Sequence, residues 1–264
     1  MRQLIDTGWD SRAWIVDRDW LEREPRRPEV ADRLRAEVRL MRWLAPLLPL
    51  PVPEPVLVRD EPLRVRHRLV VGDPLDSDDP AIGNALGAFL RTLHAVPPAD
   101  AVRHGAPDAN TARGWLNEDL DRMRSDVLPL LDGDAAVDGA RLLDACAAPP
   151  PRPALVHCDL GPAHILIGDG TVSGIIDWTD ARVGDPAIDL AWLLYGAPPA
   201  VAAAVAEAYG GDELTRRRAW AWHRLGPWHE VLYGLGSGPD GFVASGLAGV
   251  RQRLGATMPS YLLR

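Results

Sequence analysis

The chain has 264 residues, 47% of them hydrophobic, and a formal net charge of −8. That length and apolar content suffice for a sizeable core in one large or two modest domains, while the acidic balance argues against nucleic acid as a partner. Two cysteines, no signal-like start and no uninterrupted apolar run of membrane-spanning length point to a cytoplasmic protein without a disulfide framework or a membrane anchor.

All 29 basic side chains are arginine, so any step that ordinarily uses lysine falls to arginine here. Residues 1–71 hold 14 arginines against 12 carboxylates, and the remainder holds 15 against 25. An acidic second half suits a cationic ligand, and it suits solubility equally well.

In chain order, "QLIDTG" and "RAWIVD" read as strands about a turn at Gly8. "DWLEREP" follows as a third strand after a turn at Asp17–Asp19. Val30, Leu34, Val38, Met41, Leu44 and Leu48 recur at helical spacing and predict a helix from Val30 to Leu48, ended by prolines 49, 51, 53 and 55. "PVLV" and "LRVRHRLVV" predict two more strands with a turn at Asp60–Pro62 between them. After "VGDPL" the pattern becomes helical: residues 81–96, with Ile82, Leu86, Phe89, Leu90 and Leu93 on one face, then 111–131 and 136–147. "ILIG" and "SGIID" predict a short hairpin about Asp169–Gly170, and from Ile188 onward the chain reads as helices. This makes an α+β protein: a small strand-rich lobe over 1–71 and a larger, mostly helical lobe over 72–264.

Within "LVHCDLGPAHILIGDG" and the following "GIIDW", Asp159 and Asp177 lie 18 residues apart with a predicted hairpin between them. Phosphoryl transfer needs two such carboxylates, one to orient and deprotonate the attacking hydroxyl and one to hold Mg²⁺ on the nucleotide phosphates. A zinc site on His157 and His164 is disfavoured, since a proline separates them and no third ligand is near.

These segments resemble the aminoglycoside and macrolide phosphotransferases, antibiotic kinases with a protein-kinase-like fold, whose catalytic segment H-G-D-x-x-x-x-N/H precedes an I-D-W segment. The resemblance implies Asp159 as catalytic base, Asp177 as principal Mg²⁺ ligand and His157 as a structural residue of the loop. Cys158 stands where the family has glycine, and its small size is expected to fit. His164 stands where most of the family has asparagine and the macrolide enzymes have histidine; it implies either metal support or loop shaping, and favours a macrolide kinase. In "GDPAIDLAWLL", Asp189 is expected to support the catalytic loop.

The likeness is looser elsewhere. "TGWDSRAWIV" resembles the phosphate-covering loop, placing Gly8 and Ser11 near phosphate. In "LEREPRRPEV", Arg23 takes the role of the kinase strand-three lysine and Glu37 its partner, with Arg26 or Arg27 as alternatives and Glu22 and Glu24 where the family has apolar residues. "HRLVVGDPL" resembles the hinge, so Val70 and Val71 would offer backbone groups to ATP or GTP. Residues 108–138 carry eight carboxylates against three arginines. Asp119 there, with Trp228, Glu230 and Tyr233, is the candidate acceptor wall.

The resemblance implies an enzyme transferring phosphate to a hydroxyl of a cationic antibiotic, a macrolide first; no interface pattern stands out, so a monomer is the default expectation. An aminoglycoside, a basic peptide antibiotic or a metabolite is the alternative acceptor, and a non-catalytic nucleotide-binding protein the contrasting class.

Overall fold

Strict alternation of side chains builds the N-terminal layer. In this computed structural model, which describes residues 2–5, 11–236, 238–239 and 241–259, β1 (Arg2–Ile5), β2 (Ser11–Val16), β3 (Trp20–Pro25), β4 (Val56–Arg59) and β5 (Arg64–Arg68) form an antiparallel sheet ordered β1-β2-β3-β5-β4. Asp17 and Arg18, at φ 54° and 66°, lie in the three-residue turn Asp17–Asp19 between β2 and β3, a left-handed geometry that matches strand twist.

Arg23 pairs across the ladder with Val65, and Val65 packs with Val30 and Leu34 of the first helix, α1 (Pro28–Leu44). Arg23 therefore lies on the helix-facing side of the sheet. Glu22 and Glu24 fall on the other face, where Arg2, Arg64 and Arg66 pair with them. The two carboxylates that depart from the resemblance thus belong to an ion-pair layer and leave the Arg23 face undisturbed.

The α1 helix begins at Pro28, two residues earlier than the apolar pattern indicates, because proline is preorganised for the first helical position. It stops at Leu44 rather than Leu48: Ala45 keeps helical torsions, but Pro46 has no N–H to continue the ladder, and the chain tightens into a 3₁₀ turn over Ala45–Leu47. Val30 and Leu34 pack beneath the sheet, whereas Leu40, Met41 and Leu44 enter the large core of the rest of the molecule. One helix is thus rooted in both layers.

Beyond the connector, β6 (Asp73–Pro74) pairs with β8 (Ile165–Gly168), which pairs with β9 (Thr171–Ile175), and β7 (Ala154–Val156) pairs with β10 (Arg182–Gly184). The predicted hairpin turn is formed by Asp169 and Gly170, at φ 50° and 74°. Helices α2 (Pro80–His94), α3 (Pro98–Arg103), α4 (Ala109–Arg122), α5 (Gly133–Ala147), α6 (Ala187–Tyr195), α7 (Pro199–Tyr209), α8 (Glu213–Gly236) and α9 (Phe242–Leu254) surround these strands. The helix expected over 111–131 changes character at Met123–Val127, a π turn, and ends in a 3₁₀ turn at Leu128–Leu130, where Pro129 removes a donor. Gly83 lets α2 approach α7 closely: a Cβ there would lie 2.5 Å from the Val201 carbonyl oxygen. No helix among the described residues is long and apolar enough to cross a membrane.

His67, on the α1-facing side of β5, is buried, and its Nδ1 donates to the Arg68 carbonyl at 2.7 Å. Burial, reinforced by Arg23, pulls its pKa down to about 4 from the ordinary 6.5. Between those values the unfolded chain binds a proton that the fold excludes, so stability falls as pH drops through this window. Urea denaturation at pH 7 and pH 4.5 should show an acid-induced loss that is smaller in His67→Leu than in the wild type by about 2–3 kcal/mol.

Candidate active site

The loop after β7 is held by one carboxylate. Asp189, fully buried in the first turn of α6, accepts the His157 backbone N–H on Oδ2 and the Cys158 N–H on Oδ1, both at 2.8 Å. His94 Nε2 donates to Oδ2 at 3.1 Å, and the Tyr209 hydroxyl donates to His94 Nδ1 at 2.9 Å. His157, also fully buried, spans the two halves of the site. Its Nε2 donates to the Ile176 carbonyl at 2.9 Å, and its Nδ1 accepts the Asp159 N–H at 3.3 Å. One imidazole thus fixes the backbone beside both Asp159 and Asp177. The ring rests edge-on against Trp178, 4.7 Å between centroids, and Trp178 Nε1 donates to the Ile175 carbonyl.

Cys158 has φ 77°, a left-handed conformation. The sequence reading took small size as the requirement at this position. The backbone shows that the requirement is conformational, and that cysteine meets it under strain where glycine would not.

Two carboxylates face the space between the layers, with Asp159 60% and Asp177 49% exposed at the side chain. His164 stands between them. Its Nδ1 donates to the Asp159 carbonyl at 2.7 Å, which in the neutral ring leaves Nε2 as a lone pair. That nitrogen is 4.0 Å from Asp177 Oδ2. Two electron-pair donors facing each other at this separation fit a cation placed between them. Among the described residues no group of three or more histidine, cysteine or carboxylate side chains could hold a metal alone. Of the two donors, only the Asp177 carboxylate is the hard oxygen that an ion such as Mg²⁺ prefers, the imidazole being softer, so such an ion would need waters and nucleotide oxygens to complete its shell.

Arg23 is the third component. Its Nη2 donates to both oxygens of Glu37 at 2.6 and 2.5 Å, its Nη1 donates to Thr179 Oγ1 at 3.0 Å, and Nη1 lies 3.6 Å from Asp177 Oδ1. Thr179 is shared, lying within hydrogen-bonding reach of Asp177 Oδ1 and Glu37 Oε2, at 3.0 and 3.2 Å. Burial works against charge on Arg23, but Glu37 and Asp177 outweigh it and raise its pKa. Burial likewise opposes ionisation of Asp177, yet the Arg23 guanidinium, with a hydrogen bond from Thr179, holds its carboxyl below the ordinary range. Arg23 Nε is buried with no acceptor among the described residues, an orphan donor that suits an anionic ligand. Of the three arginines open to this role, Arg23 meets Glu37, while Arg27 pairs with Glu29 at the surface. Thr179 was missed by the sequence reading; its place two residues after Asp177 is the only signal it leaves.

Ser11 opens β2 with a half-buried side chain, and Gly8 lies outside the described residues. At the connector, Val70 packs against Gly174, Val71 is 75% exposed, and no described backbone acceptor engages the N–H of either valine. A cleft of about 400 Å³ runs between α1, α4 and the segment after Asp177, lined by Asp119, Trp115, Asp180, Arg182, Arg33 and Glu37. Arg33 pairs with Asp180 at 2.8 Å. His229, on α8, sits near enough to Asp119, Arg182 and Asp159 to feel their charges.

The other acceptor candidates go elsewhere. Trp228 is fully buried with its ring against Gly139 of α5, so it is core rather than pocket. Glu230 turns to α9, where the Ser245 hydroxyl donates to it at 2.5 Å, and Tyr233 stacks edge-on with Phe242. Packing between α8 and its neighbours accounts for all three.

Fold and site together define a phosphotransferase of the protein-kinase-like class. Residues 2–228 match the model of the phosphotransferase enzyme family (APH), and the chain belongs to that family. It is similar to the viomycin phosphotransferase of Streptomyces vinaceus, 30% identical over 248 residues that cover 84% of this chain and 83% of the relative. Among solved structures, the GDP complex of wild-type aminoglycoside 2′-phosphotransferase-IIIa superimposes with a TM-score of 0.82 at 23% identity, covering 96% of this chain and 92% of that one. The macrolide 2′-phosphotransferase MphH from Brachybacterium faecium gives a TM-score of 0.73 at 27% identity, covering 95% and 91%.

Two substitutions separate strain from support in the loop. Cys158→Gly should raise stability by about 1 kcal/mol by releasing the left-handed strain, read as a higher denaturant midpoint. Asp189→Asn should lower it by about 2 kcal/mol, because the amide presents a donor to a backbone N–H that then lacks an acceptor.

Proposed function

We propose that the protein transfers the γ-phosphate of ATP or GTP to a hydroxyl group of a cationic antibiotic. The reading is carried by one observation: two carboxylates from separate loops converge on the same space, with the free nitrogen of His164 facing Asp177 and an orphaned donor of Arg23 beside it. In this scheme the nucleotide lies between residues 1–71 and 72–264. Ser11 would lie along the phosphates, and the backbone of Val70 and Val71 would meet the base.

Asp159, solvent-open and anchored through its backbone, accepts the proton of the acceptor hydroxyl and aims its oxygen at phosphorus. Arg23, kept charged and rigid by Glu37 and Thr179, binds phosphate oxygens as charge redistributes during transfer. Asp177 and His164 Nε2 would hold Mg²⁺, which supplies neutralisation between the phosphates. Asp119 and Asp180 line the neighbouring cleft and would receive a protonated amine of the acceptor. The enzyme is read as a cytoplasmic monomer with small-molecule partners only.

A macrolide is the first acceptor class, supported by His164 and by the likeness to the macrolide enzyme. A basic peptide antibiotic is the second, favoured by the carboxylates of the cleft and by similarity to the viomycin enzyme.

A coupled assay pairing ATP or GTP with macrolides, aminoglycosides and basic peptides in the presence of Mg²⁺ tests the reading. One class should turn over, and Asp159→Ala should lower kcat at least ~1,000-fold with nucleotide affinity retained. Nucleotide binding without turnover of any acceptor would point instead to a metabolite kinase or a non-catalytic protein. Turnover that survives Asp159→Ala would refute the assignment of the base.

A further inference from the structure

A second pocket, of about 230 Å³, opens behind the catalytic loop between α4, the chain following α5, β10 and α8. Of the residues that line the cleft between α1 and α4, only Arg182 also borders this pocket. Its floor includes Cys158, the residue peptide-bonded to Asp159, and Cys146; its walls include Leu116, Val156 and Trp222. The body of the pocket is therefore apolar, as small-molecule sites are, with a few fixed polar groups at one side.

Those polar groups have one sign in excess: Arg113, Arg182 and Arg218 stand against a single carboxylate, Asp185. Asp185 is already engaged, since Arg218 Nε and Trp222 Nε1 donate to it at 2.8 and 2.7 Å. Arg113 donates to the Ala147 carbonyl at 2.6 Å, a neutral acceptor that leaves its charge uncompensated. The Arg182 side chain makes no hydrogen bond or ion pair among the described residues. Two guanidinium groups without ion-pair partners, Arg182 lying within electrostatic reach of Asp180, beside an apolar cavity of this size match a compact molecule with an apolar body and one anionic end.

We propose that this pocket is a second binding site, for a small aromatic or branched apolar carboxylate, and that its occupant acts on the catalytic loop. An occupant touches Cys158 directly. Cys158 is held by Asp189 from one side and already sits at φ 77°, so its peptide has little freedom to yield without moving Asp159. The site shares only Arg182 with the proposed acceptor cleft, and its binding can be measured whether or not the phosphotransfer reading holds.

Phenylacetate is a suitable probe, with the uncharged phenylacetamide as its control. Saturation-transfer NMR on the full chain should show phenylacetate bound in the millimolar range, with phenylacetamide weaker by about tenfold. Arg113→Gln, at the pocket's rim, should bring phenylacetate down to the level of the amide, and Leu116→Trp, which fills the cavity, should abolish binding of both. In the turnover assay phenylacetate should lower kcat while leaving KM for nucleotide and acceptor unchanged. Equal binding of acid and amide, or binding that survives both substitutions, would overturn the site. Displacement of phenylacetate by the acceptor antibiotic would make the pocket an arm of the acceptor cleft, and binding with unchanged kcat would remove the link to the loop. Should Leu116→Trp fail to fold, the acid–amide comparison and Arg113→Gln decide the matter alone.

Discussion

The carboxylate of Asp189 is the constraint on which the site depends. It receives two consecutive backbone N–H groups of the loop after β7 and an imidazole N–H, so a buried charge is balanced by three donors. The arrangement works in both directions. The donors make the buried carboxylate tolerable, and the carboxylate dictates the path of the backbone through His157 and Cys158. That path forces a left-handed turn at Cys158 and carries Asp159 into the open. The exposed carboxylate and the buried one are thus parts of one device, the second existing to aim the first.

The opposite side of the site is built on a different principle. The α1 helix shares apolar packing with the sheet at its start and with the large core at its end, and Arg23 reaches from β3 to Glu37 and Thr179. Arg33 adds a bridge to Asp180, and Trp43 stacks on His104 with centroids 4.4 Å apart. Each contact fastens α1 to the segment after Asp177 or to the α3–α4 region. The Arg23–Glu37 pair is therefore fixed by packing, because the helix that carries Glu37 is held in place from both ends. Preorganisation of this kind lowers the reorganisation a phosphate ligand must drive.

The long periodic elements and the carboxylate pair were legible in the sequence. The α1 and α2 helices bury the faces that their apolar spacing marks, and Asp169–Gly170 turns the hairpin between Asp159 and Asp177. What was illegible is equally physical. The β7 and β10 strands have three residues each, too few for any periodicity, and become strands only by pairing with one another. Thr179 and Arg33 act through contacts across 142 and 147 positions of chain, which no local pattern records. Trp228, Glu230 and Tyr233 cluster as aromatic and acidic residues in the sequence, but a helix packed on several sides uses the same residue types for its core and its helix contacts. The glycine-like demand at Cys158 lies in a backbone torsion, which composition does not reveal.

The absence of lysine gives the Arg23 position its character. A lysine ammonium is a compact charge on a flexible stem, and pairing with Glu37 would leave it few directions in which to bind anything else. The guanidinium divides its donors by geometry: one terminal nitrogen takes both oxygens of Glu37, the other takes Thr179 beside Asp177, and Nε remains unspent. A planar fork held at both tips cannot rotate, so the direction of its remaining donor is set by the fold rather than by the ligand. The substitution changes the chemistry of the position from a mobile charge to a fixed, oriented one. Thr179 is the residue that makes this orientation possible, because it joins the arginine of the sheet to the aspartate of the loop.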